Sequence, residues 1–244
     1  MQVDPSVHIT QPLARRDRLR AELLGKIPSW YRPWAHLGFP SAFGILAVVG
    51  AVASLHAVQP FEWLVIPGFW LLINMSEWHI HRDILHRPMW PLRQLFYRHT
   101  PEHHVVFVKD DMAMRDWREF RLVLIPSYGI VAIFLTSLPV TAALATFVST
   151  NVAAFWVAVS MSYIVSYEWL HLSYHLPPTN PIGRSWFIRS MRRNHAMHHT
   201  PELMQKWNFN VTFPVWDWVR GSIHPGTFGA METPARASRR NAAA

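Results

Sequence analysis

Histidine is the residue type whose number and spacing point to chemistry: the chain has 15, and ten of them fall into four tight clusters. HRDILH supplies His81 and His86, and HTPEHH supplies His99, His103 and His104 after a connector of twelve residues. HLSYH supplies His171 and His175, and HAMHH supplies His195, His198 and His199. Neutral imidazole ligates iron, zinc, copper or nickel, whereas magnesium and calcium prefer oxygen. Ten imidazoles are too many for one ion and suit two. Residues three or four apart share a helix face, so His171 with His175, and His195 with His198 and His199, can aim at one centre. His81 and His86 are five apart, which needs a frayed helix end or a local widening of the helix. A lone HxxxH pair is common by chance, but four clusters in repeated topological positions are not. His8, His36, His56 and His224 read as single interfacial residues, and His79 stays unassigned.

The elements that must carry these clusters are apolar. Half of the 244 residues are hydrophobic and only 16% are charged, against about a quarter charged in soluble domains. Gly38–Val58 is free of charge and long enough to span a bilayer. Phe61–Trp78, Leu122–Leu138 and the run from Val140 to about Val165 follow, with a turn expected at Pro139 and kinks at Pro67 and Pro126. This predicts an all-α membrane protein with four transmembrane helices in two hairpins. The segments are a basic arm or interfacial helix at 1–37, a first hairpin at 38–78 and a histidine segment at 79–121. A second hairpin at 122–165, a second histidine segment at 166–229 and a disordered tail at 230–244 complete the chain.

Residues 1–37, 79–121 and 166–244 hold six, eight and nine of the 23 Lys and Arg, so the short outer turns hold none. By the positive-inside rule both termini and all histidine clusters face the cytoplasm, at a bacterial inner membrane or an ER-type membrane. The net charge of +8 is therefore an orientation signal, and no nucleic-acid partner is expected because no recognition motif accompanies it. The lack of Cys excludes disulfides, thiolate sites and iron–sulfur clusters.

At the histidine clusters the sequence resembles the fatty acid hydroxylase and sterol desaturase superfamily of integral-membrane, histidine-rich di-iron enzymes. The likeness runs from the second hairpin helix to Ser222. Glu77 ahead of His81-Arg82 matches that family's acidic residue. Asn208-Phe209-Asn210-Val211 with Trp216-Asp217 and Gly221-Ser222 resembles its closing signature, Asn210 standing for the usual Gly and Ser222 for the usual Thr. The resemblance implies a cytoplasmic helical cap holding a di-metal histidine cluster on the four helices. It implies two iron ions, with zinc also accepted in purified protein, and O2 as co-substrate. The reaction it implies is hydroxylation of an unactivated C–H bond in a lipid, or desaturation at the same centre. No acid, base or nucleophile can take hydrogen from an alkyl chain, so a redox metal must carry that step. The implied partners are the bilayer, a lipid substrate and an external electron donor: ferredoxin, flavoprotein or cytochrome.

Metal-bound imidazoles need acceptors for their second N–H, and Glu77, Glu102, Glu168, Glu202 and Asp217 are the candidates near the clusters. Tyr97, Trp207 and Asn208 are candidates for lining the substrate slot. A metal transporter or storage protein is the alternative from another class, though the spans offer few polar residues to line a path. A faint internal echo, His99-Thr-Pro-Glu102 and His199-Thr-Pro-Glu202, hints at duplicated halves or at convergent loop chemistry.

Overall fold

The computed structural model describes residues 13–228, which are all-helical apart from loops and one isolated antiparallel bridge, Val108 to Asp111. The first twelve residues, with His8, and the expected tail at 230–244 lie outside the described residues. In chain order the helices are α1 (Leu13–Gly25), α2 (Pro33–Ala53), α3 (Val65–His79), α4 (Arg93–Tyr97) and α5 (His104–Val106). They continue with α6 (Phe120–Val123), α7 (Ser127–Phe147), α8 (Thr150–Tyr174), α9 (Trp186–His198) and α10 (Val215–Arg220).

Four long helices make the bundle, with α8 in the middle against α2, α7 and α3. The α2–α8 approach depends on Gly44: a Cβ there would stand 2.4 Å from Val165 Cγ2, so a side chain would push the helices apart. Two stretches, Pro33–Ala53 and Trp117–Phe147, are long and apolar enough to cross a membrane. α3, at 15 residues, is shorter than the roughly 20 that a full crossing needs.

The expected turn at Pro139 is displaced. α7 runs through Pro139 to Phe147, and the chain reverses at Val148 and Ser149. Ser149 sets that boundary by capping α8, its hydroxyl accepting the Val152 N–H at 3.1 Å. Pro67 lies in the first turn of α3, where no N–H is needed, and Pro126 precedes α7, so neither interrupts a helix. At this end of the bundle Glu62 joins the two hairpins, accepting from Ser149 Oγ at 2.5 Å and Asn151 Nδ2 at 2.9 Å. Asn151 also pairs with both backbone groups of His56.

The opposite end carries all ten clustered histidines. α1 is bound to it by ion pairs, Arg16 to Asp111 and Arg115 to Asp17, both at 2.7 Å. Arg20 approaches the buried Glu119 at 3.7 Å and lies over the Phe107 ring. The 13–25 segment is thus a docked helix in this structure. His36, expected as an interfacial residue, is buried, between the Tyr31 hydroxyl at 2.6 Å and the Ile125 carbonyl at 2.9 Å.

Candidate metal centre

The ten histidines come together as two groups of five, every one buried. His81, His86, His99, His104 and His198 form the first; His103, His171, His175, His195 and His199 form the second. Within each group the candidate ligand nitrogens lie within 4.8 Å of one another.

Helix geometry explains the sorting. The first half of the chain uses π-helical turns at Ile80–Leu85 and Arg98–His103. The wider turn brings residues five apart onto one face, which aligns His81 with His86 and His99 with His104. Their ring centroids lie 5.1 and 4.6 Å apart. Local widening is therefore what makes the five-residue spacing work. In the second half the spacings are those of an α-helix, from His171 on α8 to His175 at its C-cap and from His195 on α9 to His199 at its C-cap. The middle histidine of each triplet points elsewhere, so His103 joins the second group and His198 the first. Each group thus takes four rings from its own half and one from the other. The repeated His-Thr-Pro-Glu does not follow this correspondence: His99 opens its triplet and His199 closes its own. Convergent loop chemistry explains that echo better than duplication does.

The rings are held by the backbone. His103 Nδ1 faces the Leu122 carbonyl at 3.0 Å, His175 that of Met112 at 2.9 Å, and His198 that of Trp207 at 2.9 Å. His199 faces Phe107 O at 2.6 Å, and His81 faces Phe209 O. His86 Nδ1 instead meets Thr100 Oγ1 at 3.2 Å, while that hydroxyl donates to Leu85 O at 2.8 Å. A ring that donates from Nδ1 keeps a bare lone pair on Nε2. When both His86 and His198 donate from Nδ1 they are in this state, and their Nε2 atoms stand 2.9 Å apart. With those tautomers neither carries a proton to share, and a cation between the two lone pairs would suit the pair. His81 to His99 at 2.9 Å, His99 to His104 at 3.0 Å and His195 to His199 at 3.0 Å repeat the spacing. Two nitrogens at right angles around an ion, each about 2.1 Å from it, are about 3.0 Å apart. His103 Nε2 and both nitrogens of His171 are buried without a protein partner, as unloaded ligands would be. The residues fit two metal ions.

Burial also sets the protonation state. It pushes His81 down to about 4 and the other nine well below the usual imidazole range. All ten are neutral near pH 7 and ready to ligate.

The five carboxylates expected to orient the rings do something else: among the described residues none contacts a clustered imidazole. Glu77 accepts from the backbone N–H of Val211 at 2.5 Å and Thr212 at 3.0 Å, and from the hydroxyls of Thr212 and Tyr163. It ties α3 to the 210–212 loop. Asp217 acts one bond further from the rings. It accepts from Phe209 N at 3.0 Å, Asn210 N at 2.7 Å, Trp78 Nε1 at 3.0 Å and Ser222 Oγ at 2.7 Å, and so fixes the loop whose carbonyls hold His81 and His198. Burial raises the Asp217 carboxyl, and these bonds work against that. Glu168 accepts from Ile125 N at 3.3 Å. Glu102 is half-buried without a ring contact, and Glu202 is exposed. Backbone carbonyls do the work because they accept a proton without bringing a second buried charge.

Of the slot candidates, Tyr97 is exposed on α4 and Trp207 offers its carbonyl to His198. Asn208 is a buried joint in the left-handed conformation, φ 60°, bonded to Asn194 O at 3.0 Å and Thr227 Oγ1 at 2.8 Å. Its bonds shape the backbone there. His79 stays outside both groups, 3.3 Å from Asp83. The brace that sequence reading missed is Thr100, whose one signal was its place between His99 and Pro101.

An all-helical scaffold carrying two five-histidine groups beside apolar helices defines a histidine-rich, metal-binding protein of membrane type. The sequence model described as Fatty acid hydroxylase matches residues 66–222, well over half of the chain, and the protein belongs to that family. The matched region includes all ten histidines, and membership implies an oxidoreductase. No curated protein and no solved structure was found to match the chain.

Proposed function

We propose that the protein is a membrane-bound di-iron oxygenase that hydroxylates an unactivated C–H bond of a lipid. The observation that carries this reading is the His86–His198 face, two Nε2 atoms 2.9 Å apart within a buried five-imidazole group beside a second such group. Iron bound at the two groups would supply the redox capacity to activate O2, which the side chains here lack. Overall, one oxygen atom enters the C–H bond and the other leaves as water. Two electrons come from a donor such as a ferredoxin, a flavoprotein or a cytochrome, and two protons from water. Backbone carbonyls and Thr100 orient six of the ten rings, those of His81, His86, His103, His175, His198 and His199, and every ligand is buried away from bulk water. In this reading α2, α3, α7 and α8 all enter the bilayer, with α8 packed against the other three. The histidine end and both termini then face the cytoplasm, and the cations of that end receive an acidic donor.

The test is to express the gene in a host lacking it, under 18O2, and compare total lipids by mass spectrometry. A lipid gaining one labelled oxygen, absent with a His199→Ala variant, is the expected result. Loss of two hydrogens without label would move the assignment to desaturation. Unchanged lipids from metal-loaded protein with an active donor would overturn it.

A further inference from the structure

The two apolar helical stretches share a feature at their first turns. Residues from the start of α2 and of α7, with the connector before α2, enclose a cavity of about 460 Å³, within the size range of small-ligand sites. Three guanidiniums stand on its wall: Arg32, Arg98 and Arg121. Among the described residues none of them forms an ion pair. Arg98 donates to the Arg121 carbonyl at 2.9 Å and Arg32 to the Ser29 carbonyl at 3.1 Å, while the Arg121 guanidinium makes no hydrogen bond among the described residues. Glu102 and Glu168 interact with Arg98 at a distance but form no ion pair with it. Neighbouring cations with free donors and no carboxylate bonded to them suit an anion.

The rim of the same cavity is aromatic. Trp30, Phe39 and Tyr128 line it and are exposed, Trp30 at 74% and Tyr128 at 71%. A soluble anion gives no reason to hold large apolar rings in water beside it. At the boundary of a bilayer those rings sit at headgroup level, with the arginines facing phosphate.

We propose that this cavity binds the anionic headgroup of a membrane phospholipid, whose chains lie along α2 and α7. The site is separate from the histidine groups but is joined to them. Arg98 precedes His99, and Arg121 precedes Leu122, whose carbonyl holds His103. A bound headgroup therefore steadies one ring of each group. The assignment rests on the membrane placement of α2 and α7 and not on the oxidation chemistry.

Native mass spectrometry of delipidated, metal-loaded protein released from detergent tests it, with phosphatidylglycerol, phosphatidylcholine of the same chains and inorganic phosphate as probes. Phosphatidylglycerol should bind at least about tenfold more tightly than phosphatidylcholine, and phosphate alone should not be retained. Arg121→Gln should weaken the phosphatidylglycerol complex roughly tenfold, the expected effect of losing a charge-assisted contact. It removes no contact within the protein, so folding is not at stake. Arg189→Gln, on the exposed side of α9, should leave binding unchanged. Equal retention of the two phospholipids, or identical behaviour of the two variants, would overturn the proposal. Phosphate competing as well as the lipid would overturn the lipid assignment. None of these readouts needs turnover, so failure of the oxygenase reading would leave them intact.

Discussion

The two histidine groups have the same number of ligands but are built from different helices. In the second, spacings of four residues on α8 and α9 align the rings without altering the helix. In the first, both local pairs depend on π-helical turns, Ile80–Leu85 and Arg98–His103. A π turn has poorer packing and hydrogen bonding than an α turn and persists where something else holds it. The second group is thus written into ordinary helix propensity, whereas bound ions would help hold the backbone of the first. One ring crosses over in each direction, so the two cannot be fully independent.

The crossing rings offer the largest effect. His198→Ala should strip an ion from the first group although the residue lies in the second half, and His103→Ala should do the reverse. Each variant should fall from two metals per chain to about one and lose more than about 100-fold in activity, since loss of a supporting contact alone costs 10–100-fold. Metal analysis by mass spectrometry of double variants decides the assignment: His198→Ala with His86→Ala should keep about one metal, and His198→Ala with His175→Ala should keep none. The reverse outcome would mean that the crossed arrangement is wrong.

Removing both ions should expose the difference in backbone. After chelation, amide hydrogen exchange over Ile80–His104 should rise by about tenfold or more, while α9 changes less. Acid should act in the same direction on the metal-free protein. His81 is pushed down to about 4 by burial, below the unfolded value of about 6.5. Its contribution to stability is therefore fully present above pH 6.5 and is lost as pH falls toward 4. Thermal unfolding between pH 7 and 4 should show a falling midpoint. A flat profile would mean that the rings are already solvated without metal.

Most of this centre was legible in the sequence, for a physical reason. Ligand type and spacing are side-chain properties, and so His81 through His199 announced themselves as clusters. Their partition did not, because it turns on whether a helix is wound as α or π, which five-residue spacing suggests at His81–His86 but does not reveal at His99–His104. Backbone carbonyls were invisible altogether: Phe107, Met112 and Leu122 look like ordinary core residues, and nothing in their side chains marks their oxygens as imidazole acceptors. The carboxylates misled because proximity in sequence was read as contact. The departure at Asn210 carries more than a family pattern shows. Its side chain bonds Asn74 O at 2.9 Å and accepts Asp217 N at 3.0 Å, joining α3 to α10 where a glycine would offer nothing. Ser222 keeps the hydroxyl that its Asp217 contact requires. Among the bundle helices hydropathy marked the apolar stretches but placed one turn at Pro139, because it does not see the Ser149 cap.

A smaller effect separates the groups through their braces. Carbonyls brace His103, His175 and His199 of the second, whereas His86 in the first relies on the Thr100 hydroxyl. Thr100→Val keeps the shape and removes that acceptor. It should weaken one of the two ions about tenfold while the other is unchanged. Stepwise chelator titration of the metal-loaded protein reads the two affinities, and a parallel loss of both would show that Thr100 acts on general packing.

The smallest expected effect is the sharpest check on the carbonyl account. Glu102 and Glu202 occupy the same place in the two His-Thr-Pro-Glu echoes, one half-buried and the other exposed. Carboxylates that oriented the rings would make both substitutions costly. Carbonyls that do so leave both acids as surface charges, and surface changes are worth within about 0.5 kcal/mol. Glu102→Gln and Glu202→Gln should therefore keep two metals, unfold within that margin of the parent and show the same chelator titration. Should Glu102→Gln alone release metal from the first group, a carboxylate would have to reach His99 or His104 once ions are bound. The first group would then differ from the second in its acceptors as well as in its helix.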